Sequence, residues 1–240
     1  MVITPDQIVI SAWGPVRITA TLVFTWLTMA LMAGTALAVS RQLVLGPRLP
    51  RWQNAMEILV GNICQQIREV THADPEPYLA FVGTLFLFIL CSNLLAIVPG
   101  FLPPTGSLST TAALALCVLV AVPIDALRTR GLVSYLRSYL EPTPLMLPFQ
   151  LIGEFTRTLA LAVRLFGNIM SGNLLAAILL SLAPLFAPVL AHSLGLVFGV
   201  IQAYVFAILA LIYMTSAAAI STADAKPHSV LSSSAGSNHE

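Results

Sequence analysis

The chain predicts an all-α integral membrane protein: one transmembrane helix, an amphipathic helix on the membrane surface, a transmembrane helical hairpin and two long, strongly inclined helices. Three observations carry this expectation. Of the 240 residues, 58 % are hydrophobic and only 9 % are charged, whereas a soluble domain has about 25 % charged residues. Uncharged runs are long enough to cross a bilayer, with 23 residues at 18–40, 48 at 77–124 and 59 at 165–223. Pro- and Gly-rich breaks divide the longer runs into separate helices.

Taken in order, 18–40 is the first span, flanked by Arg17 and Arg41. Residues 50–73 mix Trp52, Met56, Ile58, Leu59, Ile63 and Ile67 with Arg51, Glu57, Arg68 and Glu69. Apolar residues three and four apart predict an amphipathic helix lying on the membrane; the alternative is a helix packed on another part of the protein. Residues 78–127 form the hairpin, helices at about 78–98 and 108–127 joined through VPGFLPPTGS at 98–107, where Pro and Gly stop a helix. Residues 128–143 are polar enough for a loop. Residues 145–222 hold two apolar helices, about 145–181 and 185–222, separated by LAPLFAP. At 1.5 Å per residue each reaches about 55 Å against a hydrocarbon core of about 30 Å. They must tilt, kink or lie along the membrane. The Ser-rich tail, 225–240, reads as disordered, and 1–240 as a single membrane domain.

Eight of the 11 Lys and Arg residues fall on one side of this arrangement: Arg41, Arg48, Arg51, Arg68, Arg128, Arg130, Arg137 and Lys226. Arg17 lies on the other side, and Arg157 and Arg164 lie within a span. The positive-inside rule makes the eight-residue side cytoplasmic, with the amino terminus outside and the carboxyl terminus inside. The opening residues lack the basic region and cleavage site of a signal peptide, so a multi-pass protein of the bacterial plasma (inner) membrane is expected. A net charge of +1 argues against a nucleic-acid partner. Cys64, Cys91 and Cys117 are separated in apolar sequence and read as small buried hydrophobes. His72, His192, His228 and His239 are far apart, so no metal site and no cofactor are expected.

The chemistry lies in polar groups at membrane depth. Arg164, in LAVRLFGNIMSGN, stays protonated at physiological pH and costs about 2.5–3.5 kcal/mol at the centre of a membrane helix. Arg157, Arg164 and Ser171 recur every seven residues and fall within about 20° of one line on a helix, with Asn168 one turn from Arg164. Glu154 is one turn before Arg157, within ion-pair reach; Arg157 can equally snorkel to the surface. Asn173 falls about 180° from Arg164, where it lines another water-filled cavity or bonds between helices. Gln202 and Tyr213 share a face of the last helix, Gln202 being a candidate for interhelical hydrogen bonding or for function. His192 is a proton relay or an interfacial anchor. No carboxylate lies at mid-membrane depth, Asp125 and Glu154 being near helix ends. Any carboxylate that carries an ion past Arg164 must belong to a partner.

RLFGN at 164–168, GN at 172–173, IQAYVFAILALIYM at 201–214 and the hairpin FLFILCSNLLAIVPGFLPPTGSLSTT closely resemble subunit a of rotary F-type ATP synthases, over most of the chain from about residue 78. The resemblance implies partners: a c-ring whose subunits each bear one mid-membrane carboxylate, the b-subunit peripheral stalk, the catalytic head through the complex, and membrane lipid. It implies a non-catalytic subunit forming two aqueous half-channels for H⁺ or Na⁺. Arg164 matches the family's stator arginine and Gln202 the glutamine opposite it. Asn168, Ser171, Asn173, His192 and Tyr213 are further ion-path candidates, with Asn93, Ser107, Ser109, Glu154 and Arg157 as half-channel candidates.

The chain departs from the common family pattern at Asn173, often acidic or His, and at Gly195, often His or Glu. Ser107 and Ser109 stand where Asp and Asn are usual. The outer half-channel lining is thus neutral, as in the N-type branch sometimes associated with sodium. Two other classes compete. A secondary transporter binding an anion at Arg164 predicts internal repeats and helices broken in both halves, which the sequence lacks. An intramembrane enzyme would need a nucleophile–base pair or metal set at depth, and none is present.

Overall fold

The structure, a computed structural model, describes residues 9–13, 16–41, 51–72, 74–98, 101–130, 146–182 and 187–219. Six helices appear among them: α1 (Ala20–Arg41), α2 (Arg51–Thr71), α3 (Glu76–Leu95), α4 (Leu108–Arg130), α5 (Met146–Leu182) and α6 (Ala187–Ala219). All except α2 are long and apolar enough to cross a membrane. The tail at 225–240, most of the polar loop at 128–143 and the break at 183–186 lie outside the described residues.

One element departs from the all-α expectation. Strands Val9–Trp13 and Val16–Thr19 pair antiparallel ahead of α1, Trp13 opposite Val16, with an irregularity between Val9 and Ser11. The segment is rich in Val, Ile, Thr and Trp, which favour extended backbone. It therefore takes residues 18 and 19 from the expected first span.

Local chemistry sets the helix ends. At the close of α2 the His72 backbone turns to φ 51° and its N–H donates to the Arg68 carbonyl at 2.9 Å, a left-handed stop that His tolerates better than most residues. Pro75 and Pro77 then flank the start of α3, where the missing N–H is no loss. Between α3 and α4, Pro103 and Pro104 lead into a 3₁₀ turn, Pro104–Gly106. Pro123 sits within α4 without ending it, so this helix runs three residues past the expected 127; membrane helices tolerate such a proline when neighbours satisfy the freed groups. The last two helices are uninterrupted at 37 and 33 residues.

The core is one face of α6. Gly199, Gln202, Ala203, Phe206, Ala207, Ala210, Leu211 and Met214 are buried at three- and four-residue spacing. Against them pack Val82, Leu85 and Ile89 of α3, Ala115, Val118 and Val122 of α4, and Leu161, Ala162 and Leu165 of α5. Alanines along this stripe let the backbones approach, and such close packing drives helix association in lipid.

Three contacts fix which helix ends lie together. Phe24, early in α1, meets Phe101 edge to face at 4.9 Å, beside the α3–α4 turn. Gly106 in that turn faces Ile169 and Asn173 in the second half of α5. At the opposite end the Arg157 guanidinium stands 5.7 Å over the Tyr213 ring, joining the start of α5 to the end of α6. The helices thus alternate in direction as the charge pattern requires.

Helix α2 packs on the other helices along part of its apolar face. Its apolar face includes Met56, Val60, Ile63 and Ile67. Ile63, Ile67 and Val70 pack into the core cluster, whereas Met56 and Val60 remain exposed. The carboxyl-terminal half docks its apolar side chains on protein, whereas the other half leaves Met56, Ile58 and Val60 exposed. Tyr204 of α6 also donates its hydroxyl to Gln66 Oε1 at 2.6 Å. Tyr204→Phe removes one hydrogen bond worth about 0.5–1.5 kcal/mol, so tryptic cleavage at Arg68 should become several-fold faster while the spans stay protected.

The cysteine expectation needs correction. Cys64 and Cys91 are half-buried and Cys117 is exposed. Cys117 lies on the exposed side of α4, with exposed Leu116 and Val120 nearby.

Candidate functional site

Arg164 occupies the midpoint of α5. Its neighbours on the inner face, Leu161, Ala162 and Leu165, are buried against α4 and α6. The amphipathic rotation of the helix therefore throws Arg164 outward, and it is exposed together with Val163 and Leu159. Among the described residues it has no hydrogen-bond or ion-pair partner. One turn on, a Cβ added to Gly167 would meet nothing within 4 Å. The surface beside the guanidinium is flat enough for another helix to come close.

The predicted stripe persists. Arg157, Arg164 and Ser171 are all exposed, with Asn168 half-buried beside them. Ser171 turns its hydroxyl back to the Asn168 carbonyl at 3.0 Å, so it offers lone pairs outward and no proton. Arg157 sits over Tyr213, a cation–π contact between the start of α5 and the end of α6. Glu154 is half-buried a turn earlier, its carbonyl accepting the Thr158 hydroxyl at 2.9 Å.

Gln202 lies elsewhere. Among the described residues it is the one polar side chain on the buried face of α6, 8 % exposed, and its Nε2 donates to none of them. An interhelical hydrogen-bonding role would give that donor a partner. An unsatisfied buried amide costs about 1–3 kcal/mol, which marks the site as one where water or another group belongs.

A second polar group gathers at the α3–α4 turn. Asn173, exposed, points its Nδ2 toward Gly106, 3.9 Å from where a Cβ would sit. Among the described residues it makes no hydrogen bond between helices. Ser107 and Ser109 share a hydrogen bond of 2.6 Å, Ser107 buried and Ser109 exposed at the start of α4. Asn93 is buried and bonded at both ends of its amide, to the Gly199 carbonyl and the Thr105 hydroxyl. His192 falls within α6, but its side chain lies outside the described residues.

Sequence reasoning missed Thr105, Gly199 and Ser92, whose buried hydroxyl has no partner. Thr105 carried a signal in the PPTGS turn, as a hydroxyl in an apolar hairpin. Gly199 carried none, because the need for glycine arises only where α3 crosses α6.

These features define a class: a multi-pass helical membrane protein whose longest helix presents a fixed cation at mid-length, and whose core keeps one unsatisfied amide. Residues 22–215 match the family described as ATP synthase A chain. The chain is 67 % identical over 220 residues to ATP synthase subunit a 2 of Picosynechococcus sp., covering 92 % of this chain and 94 % of the relative. It is 51 % identical over 220 residues to ATP synthase subunit a 2 of Acaryochloris marina, with the same coverage. To ATP synthase subunit a of Nitrosospira multiformis it is 50 % identical over 217 residues, 90 % of this chain and 86 % of the relative. The chain belongs to the ATP synthase subunit a family.

Proposed function

We propose that the chain is the stator subunit a of an F-type ATP synthase, passing H⁺ or Na⁺ between two aqueous half-channels and carboxylates on a rotating c-ring. The observation that carries this reading is Arg164: a permanent cation, exposed and unpartnered among the described residues, midway along the longest apolar helix. Such a charge is costly in lipid and becomes favourable only opposite an anion. The chain has no mid-membrane carboxylate of its own, so the anion arrives on a partner.

The work then divides by position. An ion entering one half-channel neutralises a ring carboxylate, which can face lipid as the ring turns. At the other half-channel the carboxylate gives up its ion. Arg164, between the two, favours the ionised carboxylate and repels cations that would cross directly. Each charge moved across 100 mV releases about 2.3 kcal/mol, which a leak dissipates and rotation conserves. Gln202, with an unfilled donor in the core, supports one water-filled arm. Asn173, Ser107 and Ser109 at the turn support the mouth of the outer arm, lined by neutral groups. With the basic side cytoplasmic, that turn faces outward.

Purification in mild detergent tests the reading. A ring of small carboxylate-bearing subunits, a b-type stalk and an ATPase head should accompany this chain. Recovery of the chain alone, reconstituting as an anion carrier through Arg164, would establish the transporter reading instead.

A further inference from the structure

Asn93 joins three elements. Its Nδ2 donates from α3 to the Gly199 carbonyl of α6 at 2.9 Å, and its Oδ1 accepts the Thr105 hydroxyl from the 3₁₀ turn at 2.9 Å. The first bond fixes which way the amide faces: a backbone carbonyl only accepts, so Nδ2 must point at α6 and Oδ1 is left to accept the Thr105 hydroxyl. The contact is also steric. A Cβ at Gly199 would stand 2.9 Å from Asn93 Cβ, 3.1 Å from Cγ and 3.2 Å from Nδ2. The α6 backbone therefore carries a socket at residue 199 that the Asn93 side chain fills.

Gly199 precedes Gln202 by one turn on the same buried face, a rise of about 4.5 Å. The Gln202 Nε2 is held by no hydrogen bond, so the α6 backbone and its packing must set where this amide sits. From this geometry we infer that Asn93 is a positioning residue for Gln202, locking the height and rotation of α6 at the ion path. The inference rests on the reading of Gln202 proposed above.

The lock has the right form for that task. A bond to a backbone carbonyl is lost when α6 slides by a residue. The glycine socket resists rotation, because turning α6 drives the Val200 or Phe198 side chain toward Asn93. Both restraints lie among buried side chains, where a lowered dielectric strengthens the hydrogen bond. Asn93, expected from sequence as a lining residue, thus acts through α6.

The test is a double-mutant cycle in the intact membrane complex, with Asn93→Leu, Gln202→Leu and both together, scored by ATP synthesis per assembled complex. Asn93→Leu should lower synthesis at least fivefold. The double variant should fall within about twofold of Gln202→Leu alone, because a residue that acts through Gln202 has nothing left to position. Losses that multiply would overturn the inference, as would wild-type synthesis in Asn93→Leu. Wild-type synthesis in Gln202→Leu would remove the ion-path reading of Gln202, and the positioning role with it; that failure is visible in the single variant alone. A pH profile of synthesis supplies a readout that loosened packing does not move. Asn93→Leu should shift the profile in the direction that Gln202→Leu does, whereas Ile89→Ala, a buried lesion in the same helix, should lower yield without a shift. If Asn93→Leu does not assemble, Gly199→Ala breaks the lock from the α6 side and enters the same cycle.

Discussion

Arg164→Ala is expected to abolish ATP synthesis driven by an ion gradient while the complex assembles at normal levels. The two halves of this expectation have separate physical grounds. Arg164 is exposed and makes no hydrogen bond or ion pair among the described residues, so its removal leaves no cavity and orphans no partner. Taking a cation out of a membrane helix should even ease insertion, by about 2.5–3.5 kcal/mol on insertion scales. On the function proposed above, what disappears is the fixed cation that favours an ionised ring carboxylate and repels cations between the half-channels. Synthesis in energised vesicles should therefore fall to background while passive ion leak through the membrane sector rises. Arg164→Lys should also fail to restore normal coupling, because a lysine desolvated at this depth can lose its proton where arginine cannot. Wild-type synthesis in Arg164→Ala would end the assigned role.

How much of this was legible beforehand follows from which features are local. The spans could be read because lipid forces each helix to satisfy its own backbone, leaving apolar length as the signal; the helix starts at 108, 146 and 187 lie within two residues of expectation. Arg164 announced itself by charge, and its rotation away from Asn173 followed from 100° per residue. The amino-terminal hairpin was missed because it is too short to compete with the apolar run that follows. The contact between Asn93 and Gly199 was not legible because its two partners lie 106 residues apart in sequence. An asparagine in a span says only that a polar partner exists, not whether the partner is water or a carbonyl. Gln202 was placed on a face correctly, but that the face is the packed one came only from the way α3, α4 and α5 surround α6.

Phe206→Ala should show the opposite signature to Arg164→Ala. Among the described residues Phe206 is the largest fully buried side chain, and it sits where α3, α4, α5 and α6 converge, among Leu85, Ile89, Val118, Leu161 and Leu165. Lipid tails are as apolar as phenylalanine, so burial here gains little from leaving water; the ring contributes by filling space. Its loss leaves a cavity that four helices can close only by moving. In soluble cores Phe→Ala costs about 3–5 kcal/mol, part of it from such a void. The cavity component survives in a membrane, so a destabilisation of about 2–4 kcal/mol is expected. It would appear as a lower detergent-denaturation midpoint and a reduced yield of complex. Complexes that do assemble should still couple, with ATP made per ion unchanged, because Arg164 projects from the other side of α5. If assembled Phe206→Ala complexes leaked ions as Arg164→Ala does, the separation of packing face from ion-path face on α5 would be wrong. Unchanged stability would show instead that the four-helix junction is held elsewhere.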